Sequence, residues 1–129
     1  MSDDASEIAR ACYKAYVDKD RTAIEALIAE DFHFTSPLDN RLDRTAYFER
    51  CWPNSERIRA CTFKRLIAIG ETVFVTYEGE AVDGKGFRNT EVMTIRNGEI
   101  VEVEVYFGWS LPHPAPEGGF VEPDGLTSE

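Results

Sequence analysis

The sequence is poor in the residues that most metal and nucleophile sites require. It holds three cysteines and two histidines in 129 residues. Cys12, Cys51 and Cys61 are odd in number and widely spaced, with no Cys-x-x-Cys pair. Neither a disulfide framework nor a thiolate metal site is expected from them; buried, inert thiols are. Only His33 and His113 are available to activate a cysteine, and there is no His-Glu-x-x-His run. No metal and no cofactor is therefore expected. Long apolar runs are missing too. Nothing approaches a membrane span, and MSDDASEIAR lacks the basic and apolar regions of a signal peptide, so the expected compartment is the cytoplasm. Positive charge is scarce: 14 Lys and Arg stand against 24 Asp and Glu, a net charge of −10. That balance disfavours nucleic acid and anionic membrane surfaces as partners.

What remains is an ordinary globular composition, 43% apolar and 29% charged, in a chain long enough for one domain with a real core. Residues 3–19 space Ile8, Cys12, Ala15, Tyr16 and Lys19 as on a helix, and likewise Ala9, Tyr13 and Val17. Asp20 stands where it can cap a second helix over 22–29. Residues 31–37 read as a short strand stopped by Pro37, and LDNRLD after it as a loop. A third, aromatic-rich helix runs from a cap at Asp43 or Thr45 to Trp52, ended by Pro53. Long strands over 57–69 and 72–82 follow, turning at Gly70-Glu71. The order α-α-β-α-β-β-β-β predicts an α+β fold: a strongly bent antiparallel sheet with three helices on one face, forming a cone. The domain is expected to occupy 1–110. Residues 111–129 shift to Pro, Gly and acid and read as a tail, with Phe120 and Val121 as anchors that close the cone or reach a partner subunit.

The organising stretch is FRNTEVMTIRNGEIVEVEVYFGW, residues 87–109, two strands about Asn97-Gly98. A two-residue turn sets Glu91 opposite Glu104, like charges across the ladder, and brings Glu104 and Tyr106 to the pocket side. A three-residue turn with Gly98 as a left-handed bulge pairs Ile95 with Glu99 and sorts the faces. Phe87, Met93 and Ile95 then join Val101, Val103, Val105 and Phe107. Arg88, Thr90 and Thr94 join Glu102, Glu104 and Tyr106. The second register is preferred for that sorting, and it sends Glu91 and Asn89 into the apolar face. A carboxylate there needs a partner, a proton or a purpose. Arg59 or Lys64 is the candidate partner. Unpartnered, the carboxyl is raised by desolvation into the range of a general acid or base.

The phrases AYVDKDRTAIEALIAEDFHFTSP, TAYFERCWP and RNTEVMTIRNGEIVEVEVYFGW carry a resemblance. Over residues 5–110 the chain resembles the nuclear transport factor 2-like superfamily and, more narrowly, its SnoaL-like polyketide-cyclase branch. The resemblance implies a cone with a deep apolar pocket and a homodimer packed through the sheet. That superfamily spans ketosteroid isomerases, polyketide cyclases, epoxide hydrolases, dehydratases and non-catalytic adaptors. The isomerases' general-base Asp, just before a Pro, falls here on Ser36, which cannot abstract a carbon-bound proton without a base of its own. Their oxyanion-holding Tyr falls near Cys12. Their second pocket acid matches Glu91, which is also the nearest equivalent of the sheet acid in the cyclases.

The expected site follows. Glu91 is the catalytic candidate. Ser36 and Asn89 are positioned to bind a ligand oxygen. Tyr16, Tyr47, Trp52, Tyr77 and Phe107 are candidate aromatic lining, beside Met93 and Val105. His33 and His113 are expected outside it. The expected activity is isomerisation, cyclisation, dehydration or hydrolysis of a compact hydrophobic molecule, with Glu91 as acid or base. A non-catalytic small-molecule-binding domain competes, favoured by the missing acid before Pro37. A protein-interaction domain is the third expectation, and it requires an exposed apolar patch.

Overall fold

The structure is a computed structural model and describes residues 4–122. Asp3 and the tail beyond residue 122 lie outside the described residues. Helix α1 is Ala5–Asp18; the Asp4 carboxylate accepts the Ser6 amide at 2.9 Å, and Lys19 ends the helix in the left-handed region at φ 58°. Its buried stripe is Ile8, Ala9, Cys12, Tyr13 and Ala15. Helix α2 is Arg21–Leu27, capped by Asp20 through the Ala23 amide. Helix α3, Arg44–Arg50, is capped by Asp43, whose carboxylate accepts the Ala46 amide at 2.9 Å. A 3-10 segment, Trp52–Arg57, follows with Pro53 in its first turn. Asp43→Ala is expected to cost about 1 kcal/mol and Thr45→Ala distinctly less, because only Asp43 fills a helix-end donor. Thermal melts of the two variants check this.

Six strands form one sheet in the order β2-β1-β6-β5-β4-β3. They are β1 Ile28–Ser36, β2 Asp39–Leu42, β3 Ile58–Ile69, β4 Thr72–Ala81, β5 Gly86–Arg96 and β6 Glu99–Leu111. Two expectations are corrected here. LDNRLD is not a loop: Pro37-Leu38 turns the chain, and Asp39–Leu42 pairs back on β1 as an edge strand. Nor is the sheet wholly antiparallel, because β1 lies parallel to β6. Successive hairpins fix directions only from β3 to β6, whereas β1 joins from outside that run, through the α3 crossover.

The last hairpin contains a third correction. Its turn has two residues, Asn97 and Gly98, both left-handed at φ 54° and 79°. Arg96 pairs with Glu99 and Ile95 with Ile100, but Thr94 then pairs with Glu102. The extra residue is therefore Val101, a bulge inside β6 rather than in the turn. Asn-Gly satisfies the tight turn without strain. The face sorting still demands one surplus residue, and the strand absorbs it. Ile100, not Val101, enters the core. Beyond the bulge the expected sorting holds: Met93 pairs with Val103, Glu91 with Val105 and Asn89 with Phe107.

The concave face packs Val73, Val75, Met93, Ile95, Ile100 and Val103 against Ile24, Phe32 and the stripe of α1. Helix α1 lies over β3, β4 and β5, and α3 over β1, leaving a cavity between them. The tail does not close that cavity within the described residues. Phe120 and Val121 are 73% and 58% exposed. Trp109 instead packs at a tilt against His113, centroids 5.4 Å apart, and lies under the Arg88 guanidinium.

Candidate functional site

The cavity measures about 250 Å³. Its inner pole is built on β4 and β5. Alternation along β5 puts Asn89, Glu91 and Met93 on the concave side. The Tyr77 hydroxyl donates to Glu91 Oε2 at 2.9 Å. Asn89 stands opposite Tyr77 across the ladder, with Nδ2 3.5 Å from the Tyr77 oxygen. Asn89 Oδ1 accepts the Gly108 amide at 3.2 Å. A polar line thus runs from the β6 backbone through Asn89 and Tyr77 to the carboxyl. No cation pairs with Glu91 among the described residues: Arg59 is engaged with Glu80 at 3.1 Å, and Lys64 is exposed. Burial raises the Glu91 carboxyl above its usual 4.5, opposed in smaller measure by the nearby Tyr13 and Tyr77 hydroxyls.

Tyr13 matters more than its place in the helical stripe implied. Its side chain is almost wholly buried and lines the cavity beside Glu91 and Tyr77, ring centroid 4.9 Å from that of Tyr77. Its hydroxyl is near enough to favour the charged Glu91 but falls short of a hydrogen bond. Among the described residues it is the only buried side-chain polar atom without a partner. Such an orphan costs free energy until something fills it. Burial, then the Glu91 charge, pushes the Tyr13 phenol well above its usual value, so it stays a neutral donor.

The outer pole comes from β1 and β2. Ser36 lines the cavity, and its hydroxyl donates to Asp39 Oδ2 at 2.8 Å while accepting the Leu38 amide. Asp39 also lines the cavity; its side chain is 12% exposed, with Arg50 Nε 3.4 Å from Oδ1. The position before Pro37 is a serine, yet an acid stands beside it, returned by the tight turn. Reading residues 38–43 as a loop concealed that acid; two residues between Ser36 and Asp39, one of them proline, were its signal.

Between the poles the wall is apolar and aromatic. Tyr16, Tyr47, Tyr77, Met93, Val105 and Phe107 line it, as expected, with Phe34 and Phe87 added. The Tyr16 hydroxyl is satisfied by the Cys51 carbonyl at 2.7 Å. Trp52 does not line the cavity. It is buried behind it, edge-on to Tyr16 at 5.2 Å. Phe107 and Leu38, 54% and 77% exposed, make an apolar lip. All three cysteines touch the cavity as free thiols. Burial pushes Cys12 up to about 12 and Cys51 and Cys61 to about 11, with Glu91 adding to Cys12 and Cys61 and Asp39 to Cys51. They are poor nucleophiles near neutrality. Glu102 and Glu104 lie on the outer face; Glu104 accepts the Tyr106 hydroxyl there at 2.9 Å. His33 is beside Arg41, at 3.3 Å, away from the site.

Fold and cavity together define a cone-shaped α+β pocket domain of the nuclear transport factor 2-like kind. Residues 9–103 match the SnoaL-like domain, and the chain belongs to that family. No curated protein matches the sequence. Solved structures share the fold at low identity. A provisionally assigned ketosteroid isomerase from Kribbella flavida is 19% identical, with TM-score 0.71 over 92% of this chain and 87% of its own. An LEH-like epoxide hydrolase from M. tuberculosis is 20% identical, with TM-score 0.68 over 81% and 78%. A provisionally assigned polyketide cyclase from Sinorhizobium meliloti is 18% identical, with TM-score 0.65 over 77% and 93%. No helix among the described residues is long and apolar enough to cross a membrane.

Proposed function

We propose that this chain is an acid–base enzyme acting on a compact, hydrophobic small molecule through Glu91. One observation carries the reading: a carboxyl with no cationic partner among the described residues, held by the Tyr77 hydroxyl, faces an open apolar cavity. Desolvation favours its neutral form, which donates a proton or a hydrogen bond and becomes a base once ionised. Isomerisation, cyclisation, dehydration and hydrolysis all begin with such a proton transfer. Structural neighbours that include epoxide hydrolase-like and isomerase-like proteins fit this range. The test is turnover of small apolar carbonyl compounds and epoxides by wild type and Glu91→Gln; equal turnover removes the assignment.

The proposal extends to a homodimer in the cytoplasm. Reduced, unpaired thiols suit that compartment. On the outer face Ile67, Phe74, Val92 and Glu104 form one cross-strand row, and Ile67 and Phe74 are exposed. A second copy would cover such a face, as the family resemblance implies. Phe74→Glu is then expected to halve the mass seen by light scattering while leaving the cavity intact. A monomeric wild type would refute the dimer.

A further inference from the structure

The geometry points to a cation-accepting subsite at the outer pole: Asp39, held by Ser36, receives an ammonium group on a compact apolar ligand whose body fills the aromatic cavity. This deepens the pocket reading above and rests on the cavity being the ligand site. The lining supports it by what it contains. It has two carboxyl groups, Glu91 and Asp39, and seven aromatic rings, with no Lys, Arg or His. Aromatic faces and carboxylates both favour positive charge, while a cavity without a basic side chain leaves an anion unpaired.

The two acids differ in kind. Glu91 is enclosed, hydrogen-bonded by a phenol and favoured neutral by burial. Asp39 is at the mouth, with a neutral hydroxyl on Oδ2 and the exposed Arg50 at 3.4 Å on Oδ1. A carboxylate has about four acceptor positions, and Ser36 and Arg50 occupy two of them. Arg50 is not part of the lining, so its charge reaches Asp39 from the solvent side. The positions facing the cavity remain for a ligand donor. The ligand class is thus a small apolar amine, and free carboxylates and phosphates are rejected.

Calorimetric titration with phenethylamine, phenethyl alcohol and phenylacetate near neutral pH tests the subsite. The amine is expected to bind roughly tenfold tighter than the alcohol, and the carboxylate not measurably. Asp39→Asn should erase the amine preference. Arg50→Ala, which removes the competing cation without touching the cavity, should increase it and serves as the test if Asp39→Asn does not fold. Glu91→Gln should leave the preference intact even though turnover falls, so the two readings fail separately. Phenylacetate binding as well as the amine, an amine preference that survives Asp39→Asn, or no binding of any probe would overturn the subsite. So would a preference lost in Glu91→Gln alone, which would move the ammonium to the inner pole.

Discussion

Glu91→Gln is expected to lose turnover by about 10²- to 10⁴-fold and yet to fold at least as well as the wild type. Glutamine keeps the shape and can still accept the Tyr77 hydroxyl. It lacks the proton chemistry and the titration. In the folded wild type, burial raises the carboxyl above 4.5, so the folded chain holds a proton that the unfolded chain has released. Stability therefore falls as pH rises between the unfolded and the folded value. Below the unfolded value Glu91 exacts no penalty; above the folded value the whole penalty is present. Each tenfold change in proton affinity between the two states is worth about 1.4 kcal/mol. The variant has no such slope. The melting temperature of Glu91→Gln minus that of wild type should thus grow as pH rises from the unfolded toward the folded value, then level. Other groups titrate alike in both chains and cancel. Parallel curves would mean an unshifted carboxyl and would undo the electrostatic basis of the proposal.

The second large effect lies at a residue with no side chain. A Cβ built on Gly108 would stand 2.1 Å from the Arg88 carbonyl oxygen. That oxygen is backbone inside a paired strand and cannot swing aside. Gly108→Ala is expected to destabilise by about 3 kcal/mol, about 10 °C in melting temperature. The damage should reach the site as well. The Gly108 amide holds Asn89, and Asn89 faces the Tyr77 hydroxyl that holds Glu91. Forcing β6 away from β5 slackens that line, so kcat should fall in the molecules that remain folded. Ser110→Ala, two residues on at an exposed position, provides the control with little change in either quantity. A fully stable Gly108→Ala would show that the strands separate cheaply there.

The parts of this structure that could be read from the sequence are those with a local cause. Asp20 and Asp43 announce helices because a carboxylate before a helical stripe has donors to fill. Asn97-Gly98 announces a hairpin because both residues accept positive φ. Glu91 is legible because alternation forces it to share a face with Met93, and that placement is the same whether the surplus residue stands in the turn, as the sequence suggests, or at Val101, where the structure has it. Edge strand β2 is not legible because it is short and polar, with Arg41 at φ 52° breaking its alternation. Asp39 goes with it. Tyr13 and Tyr16 are three residues apart on one helix, so both can face the sheet, and spacing alone cannot say which hydroxyl is satisfied. The Tyr16 hydroxyl donates to the Cys51 carbonyl and the Tyr13 hydroxyl lies near Glu91 short of a full hydrogen bond, a difference set by residues far away in the chain. Trp52 reads as lining because it is an aromatic at the end of a short helix that lies over the concave surface. The 3-10 segment after α3 turns it behind Tyr16 instead.

The bulge at Val101 has a consequence for how this hairpin can change in evolution. Ile100 faces inward and Glu102 outward although they are two residues apart, and Val101 alone absorbs the discrepancy. A deletion of Val101 would leave a regular ladder with every inner residue still inner. A deletion one step further along, between Glu102 and Val105, has no such slack and would exchange the two sides, turning Glu104 inward and Val105 out. Length variation among descendants of this hairpin should therefore concentrate at Val101 and the Asn97-Gly98 turn. The segment from Glu102 to Phe107 should keep its length even where its residues change.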